Sequence, residues 1–327
     1  MKVLVTGAGG FLGREVVRGL QRRGHSIRAL DLPGAGTSLA PTGPGVEEFH
    51  ADLCVSTDLT AACEGVEAVI HLAARLSGED AAVVSTAVEG TRRLLDAMEQ
   101  ARVRCLVLAS SLSVYDWDGS EGLLDENSSL EPHPEARDGY TRAKLLQEKL
   151  ARDRCRRSGI TLTVLRPGVL WGPGREYPPT IGQDVGPVHL LFGAARQLPL
   201  VHVENCGDAF AAALEDPEAA GGTYNIIDHP ELTVSRFARD HLRRSGRAGV
   251  LMPAPYGPTL AVAAFVHRFS PGPLRRKLPS FMAPARFQAR YKAVTIDGAR
   301  FRTALGWRPP LTYEQCLERT YPGSTAT

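Results

Sequence analysis

Five short runs of the chain are almost wholly apolar: Lys2–Thr6, Ser26–Asp31, Glu67–Leu72, Arg104–Ala109 and Ile160–Arg166. Runs of this length that do not alternate with polar residues suit strands of a parallel sheet covered on both faces. Between them, Phe11–Arg23, Val83–Ala101 and Tyr140–Ser158 carry apolar residues at helical spacing, with charges on the opposite side. Repeated strand–helix units of about 30 residues predict an α/β fold built on a doubly wound parallel sheet. After Gly168 the alternation gives way to Gly-Pro punctuation: Gly172-Pro173-Gly174, Pro178-Pro179 and Gly186-Pro187, then Pro-rich loops over Pro253–Pro258 and Pro271–Pro284. Shorter patterns persist at Asn205–Leu214, Thr223–Ile227 and Val234–Arg244. The expected organisation is a main domain over 1–174 and a smaller, irregular lobe over 175–327 that carries substrate specificity. Some of the lobe's segments are expected to pack back on the main sheet.

Composition narrows the function classes. The chain has 327 residues, 43% hydrophobic and 23% charged, enough to bury a sizeable core. Its 38 basic and 36 acidic side chains leave a net charge of +2, too weak a field for nucleic acid or an anionic membrane to be the main partner. Six cysteines (Cys54, Cys63, Cys105, Cys155, Cys206, Cys316) are too scattered for a zinc ribbon or disulfide framework, and the nine histidines show no HxH or HExxH spacing. No metal is expected. Strand residues begin at once, without a signal-peptide pattern. The apolar stretch Leu260–Val266 is far short of the ~20 residues that span a bilayer. A cytoplasmic protein without a membrane span is the expectation.

Thr6-Gly7-Ala8-Gly9-Gly10-Phe11-Leu12-Gly13 joins the first strand to the first helix. Gly7 and Gly10 allow backbone N–H groups to approach a pyrophosphate, and Gly13 lets the helix lie close on the strand. The helix N-terminus supplies open donors for the anion. Asp31 closes the second strand 18 residues after Gly13, where a carboxylate accepts from adenosine ribose hydroxyls. That choice favours NAD over NADP, because a carboxylate repels a 2′-phosphate; Arg14 and Arg28 are the nearest basic alternatives. Asp52 and Leu53, after the third strand, are candidates for the adenine edge.

Tyr140 and Lys144 lie four apart at the start of a helix, so their side chains share a face. A neighbouring ammonium is expected to pull a phenol's pKa down towards neutrality. Only 5 of the 38 basic residues are lysines, so a lysine here is unusual for this chain. The strand Arg104–Ala109 runs into Ser110-Ser111-Leu112-Ser113-Val114-Tyr115, placing hydroxyls at the carboxyl end of a parallel strand, where such sheets bind ligands.

Together these motifs resemble the extended short-chain dehydrogenase/reductases, the group of NAD-dependent epimerases/dehydratases and 3β-hydroxysteroid dehydrogenases with a Rossmann fold. The resemblance rests on TGAGGFLG at 6–13, Asp31, Asp52-Leu53, His71-Leu72-Ala73-Ala74, Glu89-Gly90-Thr91, SSLSVY at 110–115, YTRAK at 140–144 and Arg166-Pro167-Gly168. It implies Ser111 as the serine of a Ser-Tyr-Lys set, with Ser113 as fallback. It also implies that Leu72, Ala73 and Ala74 line the cofactor, that Pro167 to Val169 flank the nicotinamide, and that a homodimer forms through the helices over 83–101 and 140–158. Two positions depart from the family pattern: Ala87 replaces an asparagine, and Asp116 a glycine. Leu112 and Ser113 cannot do the carboxyl work of a dehydratase, and the Gly193–Leu200 stretch keeps only Arg196 as a cation for a sugar nucleotide. An NAD-dependent alcohol/ketone oxidoreductase for a fairly apolar small molecule (sterol-, lipid- or polyketide-like) follows. The alternatives are a sugar-nucleotide epimerase with tightly bound NAD and a non-catalytic dinucleotide-sensing regulator. The helical run Thr259–Phe269, with Leu260, Val262, Phe265, Val266 and Phe269, is expected at the pocket mouth or in the core. Asp116, Asp118, His133, His189 and His202 are further candidates to reach the pocket.

Overall fold

The computed structural model describes residues 1–33, 42–56, 59–75, 78–271 and 278–323. The five apolar runs become β1 (Lys2–Thr6), β2 (Ser26–Asp31), β4 (Ala68–His71), β5 (Cys105–Ala109) and β6 (Thr161–Pro167); the polar edge strand β3 (Val46–His50), which is not among them, and β7 (Thr223–Ile226) join them. They form one seven-stranded sheet in the order β3-β2-β1-β4-β5-β6-β7, with every pair parallel. The order reverses between β1 and β4, and this opens a crevice at the carboxyl ends of the strands. The helices are α1 (Phe11–Arg22), α2 (Leu59–Cys63), α3 (Asp80–Gln100), α4 (Gly139–Ser158), α5 (Val203–Glu215), α6 (Val234–Ser245) and α7 (Tyr256–Phe269).

Both faces of the sheet are covered over its central strands, which is why those strands are mostly apolar, whereas the edge strand β3 exposes Glu47, Glu48 and His50. On one face Val16, Val17 and Leu20 of α1 meet Ala209, Phe210 and Ala213 of α5 over Val3, Val5 and Ile70. On the other, Leu94, Leu95 and Met98 of α3 pack with Cys155 of α4 over Leu4, Val69 and Leu106. Elements from the chain's second half thus complete the main sheet: β7 pairs with β6 from Thr223↔Val164 to Ile226↔Pro167, and α5 lies against α1. A separate core gathers around the buried Trp171, whose ring stands edge-on to Phe237 and His202 at 5.0 Å each.

Two expectations about the second half change. Pro253–Pro258 is not a loop: Pro253 sits in the edge strand Val250–Ala254, where a missing N–H is tolerated, and Pro258 lies in the first turn of α7. In Pro271–Pro284, residues 272–277 lie outside the described residues; the remainder holds a short turn at Ser280–Met282 and the start of the helix Pro284–Tyr291. Helix α7 does not line the cleft; it is amphipathic and packs one side on a small core. Leu260 and Ala263 pack with Phe192, Phe287 and Tyr291, whereas Val262, Phe265 and Phe269 point outward and are 61–68% exposed. Among the described residues no helix is long and apolar enough to cross a membrane.

A buried ion pair fixes α4 to the sheet. Arg166 of β6 donates from Nη2 to Glu148 Oε1 at 2.6 Å and from Nε to Glu148 Oε2 at 3.2 Å. Ser110, at the end of β5, donates to the same carboxylate at 2.7 Å. Arg166 also donates to Tyr115 OH at 2.9 Å, and Tyr115 donates to Asn225 Oδ1 of β7 at 2.7 Å. Burial alone would raise the Glu148 pKa, but Arg166, Ser110 and Arg152 outweigh it and hold the carboxyl below its ordinary value. Removing one partner leaves an uncompensated buried charge. Arg166→Met should therefore lower unfolding free energy in urea by roughly 3–5 kcal/mol, and adding Glu148→Leu should recover part of the loss.

Candidate active site

The carboxyl ends of the strands open into a cleft of about 1080 Å³. Every residue singled out from the sequence as catalytic or cofactor-binding reaches its walls: Gly7, Gly10, Phe11, Leu12, Gly13, Asp31, Asp52, Leu53, Leu72, Ala73, Ala74, Ser111, Tyr140, Lys144, Pro167 and Val169. Ser113 lines it too. Asp116, Asp118, His133, His189 and His202 are not among the lining residues. Asp116 instead accepts from Gly119 N–H at 2.8 Å, and His202 caps α5.

The turn between β1 and α1 has the shape of an anion cradle. Gly7 adopts φ +71°, and a Cβ there would lie 3.0 Å from the Ala73 backbone. A Cβ on Gly13 would come within 2.1 Å of Gly7 O, so only glycine lets the helix start so close to the strand. No side chain caps the N-terminus of α1 and no carboxylate sits in its first turn, so its amide donors and positive end face the cleft uncompensated. Asp31 Oδ2 accepts from Gly9 N–H at 2.5 Å. The two basic alternatives for a 2′-phosphate are committed elsewhere. Arg14 donates to Gly9 O, while Arg28 is buried between Glu47 and the carbonyls of Ala61, Ala62 and Glu64. Glycine cradle, open helix end and ribose-height carboxylate together fit a dinucleotide without a 2′-phosphate. Arg175, which sequence reasoning passed over, stacks 4.7 Å over the Phe11 ring and lines the same end of the cleft.

At the other end of the crevice, Asp138 caps α4 by accepting from Thr141 N–H at 2.8 Å, which sets the first turn bearing Tyr140 and Lys144. Tyr140 and Ser111 line the same wall, and the Ser111 hydroxyl favours the ionised form of the phenol. Ser113 Oγ is buried with no hydrogen-bond partner among the described residues. The expected depression of the tyrosine pKa is absent. Burial pushes the phenol above 10, Asp138 adds to that, and only the Ser111 hydroxyl works the other way. The reason is geometric: Lys144 Nζ donates to Ala109 O at 2.6 Å and to Gln147 Oε1 at 3.0 Å. Burial brings the ammonium down to about 8, against a raising influence from Glu148.

Gln147 has no counterpart in the sequence reading. Its amide nitrogen lies 2.8 Å from Thr91 Oγ1 and 3.1 Å from His71 Nε2, and His71 Nδ1 is 2.7 Å from Thr6 Oγ1. A buried polar chain thus runs from the lysine to the residue preceding the glycine turn. Ala87, one turn before Thr91 on α3, is itself buried and lines the cleft. Burial, aided by the Lys144 charge, lowers the His71 pKa to about 3, so its imidazole is neutral. Away from the cleft, the fold brings Asp228, His229 and Cys316 within 4.8 Å of one another from distant segments, which histidine spacing could not reveal. There Asp228 Oδ2 accepts from His202 N–H and Asn205 Nδ2.

Residues 3–226 match the model of the NAD dependent epimerase/dehydratase family. A 3-beta-hydroxysteroid dehydrogenase of Mycolicibacterium neoaurum is 28% identical, covering 98% of this chain and 90% of its own. A short-chain dehydrogenase/reductase superfamily structure from Agrobacterium tumefaciens with bound NAD superposes with a TM-score of 0.72 at 25% identity, covering 97% of this chain and 95% of its own. A UDP-glucose 4-epimerase from Thermotoga maritima shares the fold at 21% identity and TM-score 0.72, over 98% and 97% of the two chains.

Two measurements probe the two ends of the cleft. Gly13→Val should abolish NAD binding in calorimetry, while circular dichroism shows the fold retained. At the His71 end, the unfolded chain binds a proton near pH 6.5 that the folded chain refuses until about pH 3, so stability falls as pH drops through that window. His71→Gln should lose roughly 2 kcal/mol less than the parent between pH 6.5 and 4.5, read from urea unfolding.

Proposed function

Because the chain belongs to the NAD-dependent epimerase/dehydratase family of enzymes, we propose that it interconverts a secondary alcohol and a ketone on a largely apolar, sterol-, lipid- or polyketide-like molecule by a Ser-Tyr-Lys mechanism. The observation that carries this reading is the convergence of Ser111, Tyr140 and Lys144 on the one cleft that the glycine turn also lines. The hydroxysteroid dehydrogenase relative supports the substrate class. A nicotinamide, when bound, supplies the hydride acceptor or donor. Ser111 holds the substrate oxygen. Tyr140 takes the hydroxyl proton in oxidation and returns it to the carbonyl oxygen in reduction. Lys144, with two of its three donors given to Ala109 O and Gln147 Oε1, keeps one for a ribose hydroxyl.

Leu112 and Ser113 supply no carboxyl group for elimination, so the redox step stands without dehydration. Release of NADH in step with ketone formation separates this reading from an epimerase that keeps and recycles its NAD, and from a regulator that turns nothing over. Six thiols, none in a disulfide, support a reducing, cytoplasmic location. A homodimer through α3 and α4 is part of the same reading.

Tyr140→Phe should reduce turnover by about 10²-fold or more while NAD affinity stays nearly unchanged in calorimetry. A phenol raised above 10 is protonated at neutral pH. Ketone reduction should therefore be supported near neutrality, and alcohol oxidation should climb as pH rises above it, in steady-state profiles of the two directions.

A further inference from the structure

The part of the cleft walled by the start of α4 and by residues of the chain's second half is strongly unbalanced in charge. Arg137, Arg196, Arg286, Arg290 and Lys292 line it. The one carboxylate among the lining residues there is Asp138, which is engaged as the α4 cap. Arg137 is neutralised by Glu131 at 2.5 Å. The others are not matched in this way. Arg196 is buried and donates only to backbone carbonyls, those of Phe192, Gln197 and Thr180. Lys292 donates to Asp118 O at 2.6 Å. Arg286 lies 3.9 Å from Asp80, a carboxylate already held by Arg142 at 2.8 Å. Arg290 has no carboxylate partner among the described residues.

Apolar groups share these walls: Leu112, Trp117, Tyr177, Phe281 and Val294. A buried guanidinium facing a cavity without counter-charge, as at Arg196, is costly unless a ligand anion completes it, and the half-buried Arg286, Arg290 and Lys292 line the same cleft. Arginine's planar fork matches the oxygens of a carboxylate or phosphate.

Building on the redox reading above, we propose that the substrate is an amphiphile, in which an apolar body bearing the alcohol or ketone also carries an oxyanion, a carboxylate or phosphate, bound by Arg290, Arg286, Lys292 and Arg196. The cations come from separate segments, Arg196 and the helix Pro284–Tyr291 with its following turn, so no single string displays them. Apolar walls hold the body, and the cation group selects the charged end.

The test uses the full-length protein with NAD and a matched set: a hydroxysteroid whose side chain ends in a carboxylate, its methyl ester, and the corresponding alkyl phosphate. One charge-assisted pair corresponds to roughly tenfold. The acid or the phosphate should therefore exceed the ester by at least about tenfold in kcat/KM, mainly through KM. Which of the two is better identifies the anion. Added salt should shrink that preference, and Arg290→Gln should narrow the acid-to-ester ratio. Equal kcat/KM for acid and ester, or a ratio untouched by Arg290→Gln, overturns the inference. Calorimetry on the NAD-loaded protein separates the two readings. Tighter binding of the acid than the ester without any turnover keeps the anion site and sinks the redox assignment. Turnover of the ester as efficient as that of the acid does the reverse. UDP-glucose bound more tightly than either steroid anion overturns the amphiphile in favour of a sugar nucleotide.

Discussion

The pair between Glu148 and Arg166 sets the geometry of everything that faces the cleft. It bolts the middle of α4 to β6, and Ser110 joins the same carboxylate from the end of β5. One turn back along α4, Lys144 is thereby presented to Ala109 O, and two turns back Tyr140 faces the wall that carries Ser111, the residue after Ser110. Two strands and a helix are held in register by one carboxylate. Because the pair is buried, its orientation is enforced by the scarcity of other partners as much as by attraction. The cap at Asp138 then determines where the helix begins, and so where the phenol stands.

A second polar chain runs beneath the floor of the cleft, from Lys144 through Gln147 to His71, Thr91 and Thr6. It connects the helix that carries the tyrosine to the strand that feeds the glycine turn. An alanine at position 87 offers no hydrogen bond there, and Gln147 occupies the polar junction from the opposite helix. His71 must remain neutral for this arrangement, since a proton would place a second cation near Lys144. Burial moves the lysine and the histidine in the same direction, towards the uncharged form, while Glu148 holds the lysine back.

Much of the main sheet is legible in the chain because its central strands are buried on both faces and its helices on one, so periodicity follows burial directly. The observed ends of β4, β5 and α3 differ from the expected ones by one to three residues, as fraying ends do. The glycine turn and the Tyr-x-x-x-Lys spacing are equally readable, since local geometry alone makes them useful. What escapes a linear reading depends on long-range packing. The fall in the Tyr140 pKa expected from Lys144 assumed that four residues of helical spacing aim the ammonium at the phenol; instead backbone and amide oxygens take it. Arg286, Arg290 and Lys292 come to line the same cleft as Arg196 only through tertiary folding. Helix α7 has the apolar content of a core element, but it meets the rest of the fold along one narrow side, through Leu260 and Ala263.

The anchoring of Arg28 bears on how this protein could change its coenzyme. The guanidinium sits at the third position of the strand that ends in Asp31, yet it is turned into the body of the fold and ties together three carbonyls at the end of α2. Recruiting it to greet an extra phosphate would strand those carbonyls in a dry interior. Any lineage drifting towards the phosphorylated coenzyme would therefore have to import a new cation beside position 31, leaving the old one where it is. The preference for the unphosphorylated form is thus wired into the packing of the second strand as well as into one acidic side chain.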